Sequence, residues 1–100
     1  MPKQPDACET MIDVREGVDA TDRELVALLD RRFGYMRAAA RIKPTREAVR
    51  DEERKTYVID QAIKDAETRG IPSEVIADIW ERLVEGSIAY EFDVWDKTRG

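Results

Sequence analysis

One hundred residues make one small domain, and a formal net charge of −5 argues against a general nucleic-acid binder, which is usually basic. The sequence holds no histidine and one cysteine, Cys8, which excludes an internal disulfide, a histidine metal site, a Ser–His–Asp triad and a Cys–His nucleophile. No run is apolar and long enough to span a membrane, and the opening Met-Pro-Lys-Gln-Pro-Asp is unlike a signal peptide, so a cytoplasmic location is expected.

Residues 1–9 carry two prolines and few apolar groups, and read as a flexible lead-in to a helical domain over residues 10–100. A long first helix is predicted from about Thr10 to Arg41, with Asp6 or Thr10 as N-cap and Asp13 three residues after Thr10. Its apolar and small residues recur at helical spacing: Met11, Val14, Val18, Leu25, Leu28, Leu29, Phe33, Met36 and Ala40. Gly17 and Gly34 each cost about 1 kcal/mol against alanine inside a helix, which points to close packing against a neighbouring helix. Such a helix is about 45 Å long, longer than a compact monomer of this size is wide. The expectation is therefore an all-α fold with three helices per chain in an intertwined homodimer.

Lys43-Pro44-Thr45-Arg46 ends the first helix, because the residue before proline resists helical geometry. After a loop of about seven residues, a second helix starts near Arg50 or Asp51, with Asp51, Glu52 and Glu53 at its positive end. Val58, Ile59, Ala62, Ile63 and Ala66 form its apolar stripe, and Gly70 stops it. A turn through Ile71-Pro72-Ser73 leads to a third helix, to about Thr98, expected to bury Val75, Ile76, Ile79, Trp80, Leu83, Val84, Ile88 and Trp95. Charge is uneven: Arg31 to Arg54 holds eight basic residues against four acidic ones, a local +4 that leaves −9 for the remainder. An acidic chain with one basic cluster suits a small anion better than a polymer.

Several polar residues break these stripes. Arg32 and Lys43 share a face of the first helix, about 16 Å apart. Arg15 lies roughly 25 Å from Arg32 along the helix. The two meet only if a second copy runs antiparallel, centred near Arg23 and Glu24, which makes two equal sites by two-fold symmetry. Ser87 and Glu91 interrupt the third helix one turn apart, and Asp51 and Arg54 stand at i,i+3 on the second. Each has a plain structural reading. The arginines snorkel, Asp51 and Arg54 form a surface pair, and Ser87 bonds to the preceding turn. Glu91 is either simply paired or part of a site, since a carboxylate among apolar neighbours is costly alone. In combination the residues suggest a chemistry. Arginines match carboxylates bidentately, and a lysine with a protonated glutamate donates to an ether or hydroxyl oxygen gaining charge. No cofactor or metal is needed for catalysis by positioning and electrostatics.

In this order and spacing, VREGVDATDRELVALLDRRF, RIKP, VRDEER and GSIAYE resemble the all-helical chorismate mutases, including their isochorismate–pyruvate lyase relatives. The likeness runs from about Cys8 to Gly100. It implies an intertwined dimer and a pericyclic rearrangement of chorismate to prephenate, a step towards aromatic amino acids. By resemblance, Arg15 reaches into the partner's site to bind a carboxylate, Arg32 binds a carboxylate, and Lys43 bonds both a carboxylate and the ether oxygen. Asp51 contacts the ring hydroxyl, Arg54 lines the site, and Ser87 stands near a carboxylate. Glu91 falls where many bacterial members carry glutamine. It donates to the ether oxygen only when protonated, so turnover is expected to fall as pH rises. Lys55 replaces an acid that bonds the hydroxyl in some mutases, which leaves that contact to Asp51.

Two features, ACETMIDVRE and WDKTRG, lean towards the lyases, which give salicylate and pyruvate, whereas Asp51 and Ser87 look more mutase-like. A substrate with a ring amino group is a third reading. A non-catalytic helical dimerisation module is a fourth, and it leaves the seam positions of Arg15, Arg32, Lys43 and Glu91 without a purpose.

Overall fold

The structure, a computed structural model, describes residues 1–99, which form three α-helices and no strand. They are α1 (Met11–Ile42), α2 (Glu52–Arg69) and α3 (Ser73–Arg99), with 3-10 turns at Pro5–Ala7 and Arg46–Val49. The chain divides into two compact units, Met1–Gly34 and Tyr35–Gly100, with the boundary inside α1.

In the first unit, α1 begins with a reciprocal cap. Thr10 Oγ1 accepts from the Asp13 amide at 3.1 Å, while Asp13 Oδ2 accepts from the amides of Thr10 and Glu9 and lies 3.2 Å from Lys3 Nζ. These contacts satisfy amides that have no partner within the helix. The Glu9 amide, then Lys3, hold the Asp13 carboxyl below its ordinary range. Within the chain, a Cβ on Gly17 would lie 3.8 Å from the Lys3 carbonyl, an ordinary van der Waals contact with the lead-in. Along the first unit's part of α1 several apolar side chains stay open: Val18, Leu25 and Leu28 are 51%, 52% and 51% exposed.

In the second unit, α2 packs against α3, and α3 packs also against the Arg46–Val49 turn. Asp51 caps α2, with Oδ1 accepting from the Arg54 amide at 3.0 Å. At its other end Gly70 adopts φ 70°. There the Ile71 amide reaches the Ala66 carbonyl at 2.9 Å, a left-handed stop that glycine adopts without a Cβ clash. The core is Val49, Val84, Ile88 and Trp95, with Val58, Ile59, Trp80 and Phe92 against it. Val49 carries no periodic signal because it sits in a turn. Two expectations are corrected: Val75 and Ile79 are 52% and 48% exposed, since no element of this unit covers that side of α3.

The basic cluster is also reassigned in part. Arg46 makes a two-pronged bond to Asp96, at 2.8 and 3.1 Å, with its guanidinium 4.5 Å from the centre of the Phe92 ring. Arg50 bonds Glu85 through both terminal nitrogens and also reaches Glu52. Lys55 bridges Glu81 and Glu85 at 2.9 and 2.8 Å. These cations tie the Arg46–Val49 turn and the start of α2 to the acids of α3, so they hold the fold rather than await an anion. Arg50, then Lys55, hold the Glu85 carboxyl down to about 2.

Candidate functional site

The polar residues that broke the apolar pattern of α3 are the ones it buries. Ser87 and Glu91 are each 3% exposed, one helical turn apart on one face. Ser87 Oγ donates to the Leu83 carbonyl at 2.7 Å, the back-bond to the preceding turn that its structural reading anticipates. Glu91 has a different situation. Its Oε2 lies 2.7 Å from the Nζ of Lys43, the residue that follows α1.

That ion pair is close but poorly aligned. Among the described residues, Glu91 Oε2 is the one buried side-chain oxygen or nitrogen without a properly directed hydrogen bond. Lys43 is held from two directions. Its amide continues the α1 ladder to the Ala39 carbonyl at 2.9 Å, and its ammonium donates to the Val49 carbonyl at 3.4 Å. An ammonium has three protons, and with one directed at the Val49 carbonyl the others remain for Glu91 and a ligand. The Lys43 side chain is 29% exposed and that of Glu91 4%. The arrangement is a half-open cation backed by a buried carboxyl group, suited to donating hydrogen bonds to an anionic or ether oxygen that displaces water.

The other candidates divide between the two units. Asp51 and Arg54 stand at the exposed start of α2. Their link is the cap described above rather than a side-chain pair, and the Arg54 guanidinium lies 5.3 Å from the centre of the Tyr57 ring. Lys55 is engaged by Glu81 and Glu85. Arg15, exposed, and Arg32, half-buried, are carried by α1 within the first unit.

Sequence reasoning missed two groups beside Lys43. One is the Val49 carbonyl, which backbone chemistry hides from any residue pattern. The other is Arg99, in the last turn of α3. Its Nη1 donates to the Ala40 carbonyl at 3.2 Å and to the carbonyl of Lys43 itself, while its guanidinium lies 3.8 Å from the centre of the Trp95 ring. The i,i+4 spacing of Trp95 and Arg99 was the available signal.

The sequence matches the family model for chorismate mutase type II over residues 14–92. It is also 30% identical over 98 residues to isochorismate pyruvate lyase from Pseudomonas aeruginosa, an alignment covering 98% of this chain and 97% of that protein. The matched span runs from the first turn of α1 to Phe92 and so takes in both Lys43 and Glu91, and on that ground the chain belongs to the chorismate mutase type II family.

Proposed function

We propose that the protein is a chorismate mutase, converting chorismate to prephenate in a site shared between two copies of the chain. The observation that carries this reading is the Lys43 ammonium set 2.7 Å from the buried, poorly satisfied Glu91 carboxyl. In the rearrangement one C–O bond breaks as a C–C bond forms, and negative charge grows on the ether oxygen. A lysine proton directed at that oxygen, with the Glu91 carboxyl beside it, binds it more strongly in the transition state than in the substrate. Arg32 anchors one substrate carboxylate, and Arg15 of the second copy anchors the other. Holding the enolpyruvyl arm over the ring removes much of the entropic barrier. Ser87 stands beside a carboxylate, Arg54 lines the site, and the second oxygen of the Asp51 carboxylate takes the ring hydroxyl while the first caps α2.

The dimer is supported by α1 itself. Met11, Ile12, Val14, Val18, Leu25, Val26 and Leu28 are exposed on one helix, a run of apolar surface that a second copy would cover. A cytoplasmic setting belongs to the same proposal. Among the described residues no helix is long and apolar enough to cross a membrane.

A second reading has an observation in its favour. The near full-length likeness to an isochorismate pyruvate lyase supports cleavage of isochorismate to salicylate and pyruvate, which breaks the analogous C–O bond and draws on the same donors. Incubating the purified protein separately with chorismate and with isochorismate, and identifying products by NMR, decides between them. Prephenate as the dominant product is expected. Dominant salicylate and pyruvate would transfer the protein to the lyase reading. Turnover of neither would leave the amino-substituted substrate or the non-catalytic module.

A further inference from the structure

The last turn of α1 contains a defect written into the sequence. In an α-helix the carbonyl of residue i accepts from the amide of residue i+4, and the residue four after Ala40 is Pro44, which has no N–H. Ala40 is 0% exposed, so water cannot reach the residue freely, and a buried carbonyl left without a donor is destabilising. Arg99 supplies the missing donor from α3, and the same Nη1 also bonds the Lys43 carbonyl. A cation there also meets the negative end of the α1 dipole. Stacking on Trp95 fixes the guanidinium plane.

The contact lies on the backbone of the residue whose side chain faces Glu91. Trp95 and Arg99 follow Glu91 at four-residue steps along α3, so one face of this helix holds Lys43 by its ammonium and again by its carbonyl. We propose that Arg99 is a positioning residue: by bridging the Ala40 and Lys43 carbonyls where Pro44 removes a donor, it fixes the direction from which Lys43 reaches the substrate. This rests on the proposed role of Lys43 at the ether oxygen.

The test compares wild type, R99A, R99Q and K43A in steady-state turnover of chorismate. Circular dichroism melting of each sets an assay temperature well below every Tm. R99A is expected to lower kcat per folded chain by about ten-fold, the scale of a modest misplacement of a catalytic group, with a smaller change in KM. R99Q keeps a neutral donor for one carbonyl and should fall between R99A and wild type; it decides the matter if R99A does not fold. The loss should persist on cooling, whereas a loss caused only by unfolded chains would vanish. Wild-type kcat in folded R99A or R99Q, alongside an inactive K43A, would overturn the proposal and reduce Arg99 to a helix cap. Wild-type turnover in K43A would instead sink the reading of the site, and the role of Arg99 with it.

Discussion

At the scale of single residues, the proposed chemistry turns on Glu91. A carboxylic acid donates a hydrogen bond and a carboxylate only accepts. Glu91 Oε2 lies 2.7 Å from the Lys43 ammonium and has no well-directed hydrogen bond. If Glu91 meets the ether oxygen, E91A should lower kcat by about a hundred-fold, while E91Q, which keeps a donor in the same place, should retain more of it. An E91A variant as active as wild type would remove Glu91 from the donor role. Ser87 and Glu91 were legible in the sequence because a polar side chain in an apolar stripe is conspicuous. The partners of Lys43 on Val49, and of Arg99 on Ala40 and Lys43, were not. Those partners are backbone carbonyls, which every residue possesses and no pattern distinguishes.

At the scale of elements, α2 is bounded by chemistry visible in one dimension: the Asp51 cap and the left-handed Gly70. The attachment of α2 to α3 was hidden, because Arg50 and Lys55 find Glu81 and Glu85 only after the turn at Ile71 folds the helices together. The basic run therefore looked more like a ligand site than it is. The Glu85 carboxyl is held at about 2 in the folded protein, against an ordinary 4.5, by Arg50 and then Lys55. Between these values the unfolded chain binds the extra proton, so the stabilisation is complete above about 4.5 and is lost as pH falls towards 2. The melting temperature should fall over that window in wild type, and less steeply in E85Q. Because Glu85 is 35% exposed the effect is modest. Parallel pH curves for the two proteins would show that the cluster contributes nothing.

At the scale of the molecule, the number and approximate bounds of the helices were read correctly from period and punctuation, while the burial of Val75 and Ile79 was not. A hydrophobic stripe states that a face wants cover and does not say which element provides it. The same reasoning makes the open side of α1 testable. L25E/L28E would place carboxylates near the centre of the proposed two-fold contact, where burial without partners is strongly unfavourable. The variant should shift from dimer to monomer in light scattering and lose turnover, because Arg15 no longer arrives from a second copy. A dimeric, fully active variant would place the contact elsewhere.

The cation over Trp95 gives the protein an internal optical probe. Trp95 is 9% exposed and lies one turn beyond Glu91 with the Arg99 guanidinium on its ring. The other indole, Trp80, is half-buried in the same core. In a W80F background all tryptophan fluorescence comes from Trp95. Its emission would then follow, without label or crystal, whether the end of α3 stays clasped to the end of α1 while ligand enters and leaves.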